Sequence, residues 1–535
     1  MVLAKILTDS NVNQALNLEQ QAALVTALTN PTYYPHPVVS VQRLETHISH
    51  ILLAGDYAYK IKKPLNLGFL DFTSLERRKT YCFQEVQLNR RLAPALYLDC
   101  IPICGSVEKP VLGGDPAAAL EYAVKMRRFS QTALLDRCLT EGRLQSRHID
   151  ALARQLAEFH GSIARIGSGE AFGSPERIQQ PVLDNFTDLH KLLESSADLE
   201  LLSRLERWTL AAYQRLQGIL AERRAAGFIR ECHGDLHLGN MLLENDRVII
   251  FDCIEFNDEF RWIDVMSDLG FLLMDLHHRQ AASLAWRLLN TYLEFSGDYG
   301  GLHVLPYYQV YRALVRAKIA AIRRHQPGLT AAQQSAAECE CRTYLELALA
   351  FTQPPPSFLL ITHGVSGSGK SYLTAQLAEW PGAIRIRSDV ERKRLFGLGP
   401  LEASQSGLNR GLYTPDAGRR TYQHLQTLAE QLLEAGYPVL VDATFLEAEQ
   451  RQAFRTLASR RGVPFILLAC GTDPATLRAR VSQRKAHGDD AAEADLAVLE
   501  QQLQNYMPPR AEEQPLSLAD GDISVLRAAI LARLQ

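Results

Sequence analysis

Long apolar runs are missing from this chain of 535 residues, where no stretch approaches the ~18 uninterrupted apolar residues of a membrane span. Charge of one sign is missing too. With 57 Lys and Arg against 60 Asp and Glu, no global field favours nucleic acid or an anionic membrane surface. The nine cysteines include no CxxC pair. Cys100/Cys104 and Cys339/Cys341 are the nearest to one another, and neither has His or Cys partners at zinc-binding spacing, so reduced and mostly buried thiols are expected. The first residues, Met1 to Asp9, lead into polar sequence without the apolar core and cleavage site of a signal peptide, and the cytoplasm is the expected compartment. There is no internal repeat and no long low-complexity segment.

What is present is an ordinary globular composition, 47% hydrophobic and 22% charged, in a chain too long for one hydrophobic core. The clearest boundary is Gln353-Pro-Pro-Pro-Ser357, because three prolines in a row stiffen the chain and cannot continue a helix. An alanine-rich helical pattern, 331–351, precedes it. An apolar run, 358–362, follows. The expected organisation is therefore residues 1–352, a linker at 353–357, and residues 358–535.

The two parts are patterned differently. Residues 39–63 read as strands around a Gly55-Asp56 turn, with a helix at 74–92, another strand at 120–126, and mostly helical sequence at 146–164 and 185–226. That is a small strand-rich lobe, about 35–126, before a larger helical lobe, about 127–352. After the prolines, strand candidates at 358–362, 383–386, 438–441, 465–469 and 516–518 alternate with helical stretches, the pattern of a parallel sheet covered on both faces.

Each part carries a motif for phosphate chemistry. In the first, His233-Gly-Asp235-Leu-His237-Leu-Gly-Asn240 is followed by the apolar run 248–251 and Asp252. Phosphotransfer of the protein-kinase kind needs a loop aspartate to orient the acceptor hydroxyl, and an amide and a second carboxylate to hold magnesium. Two acidic groups and an amide at this spacing suit one metal–phosphate cluster. This sequence resembles the aminoglycoside phosphotransferase family, kin to choline and homoserine kinases, in HGDLHLGN, IIFD and the helix ALARQLAEFH at 151–160. The resemblance implies Asp235 as catalytic base, Asn240 and Asp252 as magnesium ligands, and 126–129 as the hinge beside adenine. It also implies a small-lobe lysine for the α- and β-phosphates, with a glutamate to hold it. Lys60 is the choice, with Lys62 its rival on the same strand face, and Glu85 the partner. The chain departs from the family in having no glycine-rich loop before the lysine strand, so phosphate cover is expected from other backbone donors. Glu255, Asp264 and Asp268 are expected in solvated or structural roles, and His237 in packing or loop fixing, with contact to metal or substrate its alternative.

In the second part, Gly364-Val365-Ser366-Gly367-Ser368-Gly369-Lys370-Ser371 is a P-loop on the end of an apolar strand and at the start of a helical pattern. Its glycines let backbone N–H groups wrap phosphates, Lys370 reaches the β- and γ-oxygens, and Ser371 ligates magnesium. Asp389 lies just past the next strand, where a carboxylate can accept an acceptor's proton, and Arg392 can grip an acceptor anion. Asp442 ends a strand and suits a magnesium contact. This arrangement resembles the polynucleotide-kinase and zeta-toxin group of P-loop kinases, which implies Asp389 as base and Arg478, Arg480 and Arg484 as parts of a lid. Alternatives for these residues are a helix cap for Asp389 and a solvated basic face for the arginines.

The expected fold is thus an α+β, two-lobed, protein-kinase-like domain followed by an α/β P-loop domain with a parallel sheet. The expected function is transfer of the γ-phosphoryl group of ATP, with Mg2+, to hydroxyls of small molecules at two sites. One alternative is a single working P-loop kinase with a regulatory or degenerate N-terminal nucleotide-binding domain. Another is a toxin-type kinase acting on nucleic-acid ends, against which the near-neutral charge and the lack of an aromatic–basic cluster both weigh.

Overall fold

The structure, a computed structural model, describes residues 15–68, 70–167, 169–380, 382–404, 411–487, 491–517 and 523–534. Contacts divide the chain into two units. The first is Met1–Leu144, Ala164–Phe172 and Ile229–Ile263, and the second is Gln145–Ile163, Gly173–Phe228 and Asp264–Gln535.

The first unit is built on a six-stranded sheet of β1 (Val41–Glu45), β2 (Ser49–Ala54), β3 (Tyr57–Lys62), β4 (Tyr97–Gly105), β5 (Pro110–Leu112) and β6 (Glu121–Arg127), in the order β1-β2-β3-β6-β4-β5. Side chains alternate across it. Tyr59 and Ile61 pack into a cluster with Leu24 and Val25 of α1 (Leu18–Ala27), while Ala58 faces Cys82 and Val86 of α2 (Leu75–Asn89). Capping fixes both helix starts. Asn17 and Gln20 form a capping box at α1, and Ser74 accepts the Arg77 N–H at α2. Beyond a short helix, α3 (Leu135–Thr140), β7 (Ile229–Glu231) pairs with β10 (Trp262–Asp264), and β8 (Met241–Glu244) forms a hairpin with β9 (Arg247–Ile250). The elements α1, β4 and β5 carry no clear signal in the sequence. In β4, Asp99, Cys100 and Pro102 break up the alternation that marks other strands.

The second unit opens with helices α4 (Ser146–Ser162), α5 (Pro175–Leu192), α6 (Ser196–Ala225), α7 (Val265–His278), α8 (Ala282–Ser296), α9 (Leu305–Arg324) and α10 (Ala331–Phe351). Several buried charged groups here are paired, which is how a helical core tolerates them. Arg223 forks onto both Asp264 and Asp298 at 2.7–2.8 Å, and His160 bridges Asp268 and the Tyr292 hydroxyl. Asp264 and Asp268 therefore have the structural roles expected of them. The prolines at 354–356 follow α10 without regular structure.

Next comes a five-stranded sheet of β11 (Leu359–His363), β12 (Ile384–Arg387), β13 (Val439–Asp442), β14 (Phe465–Ala469) and β15 (Leu516–Ser517), ordered β12-β13-β11-β14-β15 with every pair parallel. The expected strand at 516–518 reaches one residue past those described. The connecting helices are α11 (Lys370–Ala378), α12 (Ser388–Leu395), α13 (Pro415–Glu434), α14 (Ala448–Arg461), α15 (Pro474–His487) and α16 (Leu496–Gln504), with α17 (Ile523–Leu534) at the end. The P-loop leaves the carboxyl end of the central strand, Asp389 follows the end of β12, and Asp442 ends β13. That edge of an open parallel sheet is where ligands sit. Among the described residues no helix is long and apolar enough to cross a membrane.

Candidate functional site

In the first unit, Lys60 Nζ donates to Glu85 Oε1 at 2.8 Å and to Asp252 Oδ1 at 2.7 Å. Lys62 Nζ donates to Glu85 Oε2 at 2.6 Å and to Glu255. Strand period puts both lysines on the α2 face of β3, where the fully buried Glu85 takes one on each oxygen. Their outer partners separate them. Asp252 has a side chain 42% exposed, whereas Glu255 is 4% exposed and Lys62 only 1%. Lys60 is therefore the lysine that stands at an accessible carboxylate, and Lys62 is sealed in a structural pair. Burial alone would raise the Glu85 carboxyl, but the two ammonium groups outweigh it and hold it at about 2. Burial likewise pushes Lys60 down, and Asp252 and Glu85 overcome it, so the ammonium stays charged.

Asp235 and Asn240 meet in the loop before β8. Asn240 Nδ2 donates to Asp235 Oδ2 and to the Asp235 carbonyl, both at 3.0 Å, leaving the Asn240 amide oxygen as an acceptor. His237 accepts the Gly239 N–H at 3.1 Å and turns its other nitrogen to Asp235 at 3.4 Å, a loop-fixing role as expected. The same loop is tied to the Asp252 segment. His233 Nε2 lies 2.9 Å from the Phe251 carbonyl, which can only accept, so that nitrogen carries the proton, and the Phe251 N–H donates to the Asn240 carbonyl at 3.0 Å. Asp252 itself sits at φ 62, with its N–H donated to the Tyr97 hydroxyl at 3.2 Å. Neither Tyr97 nor Asn89, which accepts the Cys253 N–H at 2.9 Å, belongs to any motif. Only the fold places them here.

Gly234 makes the loop possible. At φ 88, a Cβ on it would lie 2.6 Å from the Phe260 carbonyl oxygen. Gly234→Ala should cost about 1–3 kcal/mol of strain and displace Asp235, seen as a lowered Tm together with reduced turnover at this site. An unchanged melting curve would mean that the loop is not held as described.

In the same unit a cleft of about 1050 Å3 is lined by Leu44, Leu53, Tyr57, Arg127 and Phe129, so residues 127–129 of the segment expected as a hinge lie on its wall. Its size suits a nucleotide-scale ligand. The turn from β1 to β2, Thr46–Ile48, contains no glycine; it is closed by Thr46 N–H to the Ser49 carbonyl and held by Lys63 on the Thr46 carbonyl.

In the second unit the P-loop wraps as its glycines allow. Gly364, at φ 148, admits no side chain, because a Cβ would lie 2.3 Å from the Cys470 carbonyl oxygen. Lys370 Nζ turns back onto the loop, donating to the Val365 carbonyl at 2.8 Å and lying 3.4 Å from Ser368 Oγ. Burial pulls its pKa below the ordinary lysine value against the attraction of Asp442. The Ser366 N–H donates to Gln502 Oε1 at 2.7 Å, a partner from α16 that sequence reasoning missed.

Asp442 is buried and lies 3.2 Å from Thr374 Oγ1, which in turn donates to the Ser371 carbonyl at 3.3 Å. Asp389 pairs with Arg392 Nη1 at 3.4 Å, and Arg392 lies over the Tyr413 ring. The N-cap of α12 is Arg387, and Asp389 lies inside the first turn rather than at the cap. The three arginines of α15 part company. Arg480 Nη1 reaches the Gly367 carbonyl at 3.4 Å, Arg478 is paired at the surface with Glu500 at 2.7 Å, and Arg484 donates to the Ala494 carbonyl.

The donor sets fit magnesium and phosphate. Asp235, Asn240 and Asp252 offer hard oxygens, two of them on partly exposed carboxylates, and the buried Asp442 with the Ser371 hydroxyl offers hard oxygens at the second place. Lys370, folded onto a carbonyl and a hydroxyl, is an ammonium that an anion can draw out.

Two family models match the chain. That of the phosphotransferase enzyme family covers residues 70–305, and that of an AAA domain covers residues 359–509. The chain thus carries a phosphotransferase-family domain followed by a P-loop kinase-like domain, and these kinase-family domains support a phosphotransferase. Uncharacterized proteins of Mycobacterium tuberculosis and Mycobacterium bovis are 29% identical over 467 residues, which is 86% of this chain and 90% of each relative. Among solved structures, a choline/ethanolamine kinase family protein of Mesorhizobium loti aligns at 16% identity over 62% of this chain and 98% of its own, with a TM-score of 0.37. A putative kinase of Chloroflexus aurantiacus aligns at 20% identity over 34% and 100%, with a TM-score of 0.27. The APS kinase of Mycobacterium tuberculosis aligns at 21% identity over 34% and 99%, with a TM-score of 0.25.

Proposed function

We propose that this chain is an ATP-dependent phosphotransferase with two ATP-Mg sites, one in residues 1–352 and one in 358–535, each transferring a γ-phosphoryl group to the hydroxyl of a small molecule. The observation that carries the reading is Lys60 held between Glu85 and Asp252. A buried glutamate fixes a charged lysine beside an accessible carboxylate, the arrangement needed to grip ATP phosphates next to a magnesium ligand.

At the first site Asp235 takes the proton of the acceptor hydroxyl as that oxygen bonds to the γ-phosphorus and the bridging oxygen departs with ADP. Lys60 would hold the α- and β-phosphates, while Asn240 and Asp252 would hold magnesium. At the second site Lys370 would leave its carbonyl partner for the β- and γ-oxygens, Ser371 and Asp442 would hold magnesium, and Asp389 receives the acceptor's proton. Arg392 faces the acceptor, and Arg480, already on the P-loop, is the best placed of the α15 arginines to meet the transferring group. Arg478 and Arg484 join it only on closure. Magnesium, when bound, neutralises phosphate charge as the leaving group separates. Positioning and charge neutralisation supply most of the rate.

Titrating the intact chain with AMP-PNP and Mg2+ in a calorimeter should give two binding events per polypeptide. A single event would remove the two-site reading. One observation favours a second reading, in which the N-terminal site binds nucleotide only to regulate: the glycine-free Thr46–Ile48 turn offers little backbone to cover phosphates. Two binding events with turnover that depends on Lys370 alone would establish it.

A further inference from the structure

A cavity of about 470 Å3 opens in the second unit among α6, α7, α8, α9 and the end of α10, and no residue of either phosphate motif lines it. Its walls are mostly apolar and aromatic, as those of small-molecule sites are. Four of its rings meet edge to face in a row. His277 lies 5.5 Å from Phe351 and 6.0 Å from Trp286, and Trp286 lies 6.4 Å from Tyr437, at interplanar angles of 83°, 84° and 76°. Contacts of this kind fix the orientation of each ring. Trp286 is held from behind as well. Gly382 leaves room for it, since a Cβ there would lie 2.6 Å from the indole. One turn along α8, Asn290 pins the helix to the β12 edge of the parallel sheet, its amide accepting the Arg385 N–H at 2.7 Å and donating to the Ala383 carbonyl at 3.0 Å. The aromatic wall is therefore preorganised.

Polar groups on the lining are few, and two of them lack protein partners. Gln309 of α9 is only 7% exposed, and its carboxamide has no hydrogen-bond partner among the described residues. His277 has none either. Burial pushes its imidazole down to about 4, so at neutral pH the ring is uncharged, with one nitrogen to donate and one to accept. Burial pushes His303 down too, and the one formally charged side chain on the lining is the exposed Arg215. A charged ligand would lose its hydration here with nothing inside to offset the loss. A buried carboxamide, by contrast, calls for a partner that both donates and accepts. A flat ring carrying an N–H beside a carbonyl supplies both. Its N–H donates to the Gln309 amide oxygen, its carbonyl accepts from the Gln309 amide nitrogen, and its faces meet the aromatic row.

We propose that this cavity is a binding site for an uncharged, planar, bicyclic heteroaromatic lactam, with Gln309 reading the lactam edge and the row Phe351, His277, Trp286 and Tyr437 forming the ring wall. Pro354 and Pro355 of the linker share the lining with Gly436 and Tyr437, which lead into β13. An occupant thus touches both the linker and the strand that ends in Asp442.

The test uses quinolin-2-one, a fluorescent bicyclic lactam, titrated into the full chain with AMP-PNP and Mg2+ held at saturation so that nucleotide sites are closed to it. One saturable site per chain is expected. Gln309→Leu, which keeps the size of the side chain, should weaken quinolin-2-one about tenfold, the scale of a lost pair of hydrogen bonds. Naphthalene, the same shape without the lactam edge, should bind that variant at least as well as the parent. Ala350→Trp places a large ring on an exposed position of the lining and should abolish binding of both probes, which keeps the test open should Gln309→Leu fail to fold. The proposal is overturned by the absence of saturable binding to the parent, by binding that survives Ala350→Trp, or by equal affinity of quinolin-2-one for Gln309→Leu.

Discussion

Asp235→Asn, made in a chain already carrying Lys370→Ala, should reduce the remaining phosphotransfer by about 10²–10⁴-fold, the usual contribution of a positioned base, with AMP-PNP affinity unchanged. The substitution is nearly isosteric. An asparagine oxygen can still accept the Asn240 amide that now bonds Asp235 at 3.0 Å, so the loop keeps its shape and loses only its proton acceptor. His237, 3.4 Å away, loses a carboxylate partner but keeps its bond to the Gly239 N–H. Steady-state turnover against a panel of alcohols checks the rate, and calorimetry checks the binding. Undiminished turnover would mean that Asp235 is not the base, and the His233–Asn240 loop would then need another role.

The reciprocal change, Lys370→Ala in an Asp235→Asn chain, should abolish one of the two AMP-PNP binding events and cut the residual turnover by about 10²–10³-fold, the scale of losing one charged donor to a transferring phosphoryl group. Lys370 donates to the Val365 carbonyl, and burial already depresses its pKa. Removing it leaves the Val365 carbonyl short of one bond and takes a nearby cation from the buried Asp442, a cost to folding that a melting curve would show beside the binding. Asp442 keeps its contact with Thr374. Retained binding stoichiometry in this variant would show that the loop does not hold the nucleotide through its lysine.

The two motifs were legible because each packs its chemistry into a few consecutive residues. The P-loop, with its strand before and helix after, and the Asp235, Asn240 and Asp252 spacing could be read straight from the chain. The choice of Glu85 for the small-lobe lysines comes from the resemblance, which implies a glutamate partner, and Glu85 accepts from both Lys60 and Lys62. The split between Lys60 and Lys62 was not legible. Both face α2, and only the distant Asp252 and Glu255, 192 and 193 residues away in sequence, tell them apart. Tyr97, Asn89 and Gln502 were invisible for the same reason, because each acts through one hydrogen bond across a fold whose pairing no local pattern encodes. The α15 arginines illustrate the converse. Equal residues on one helix are sorted by what stands opposite: Glu500 for Arg478, the Ala494 carbonyl for Arg484 and the P-loop for Arg480.

The amide of Asn290 has a practical bearing on any attempt to study the two halves separately. Severing the chain at its prolines would strip β12 of the partner that occupies its outer N–H and carbonyl groups, and a bare strand margin is a template for association between copies. A C-terminal fragment that precipitates or forms soluble oligomers would thus be reporting an uncovered border rather than an unfolded kinase. Fragments meant to isolate that half should carry α8 with it.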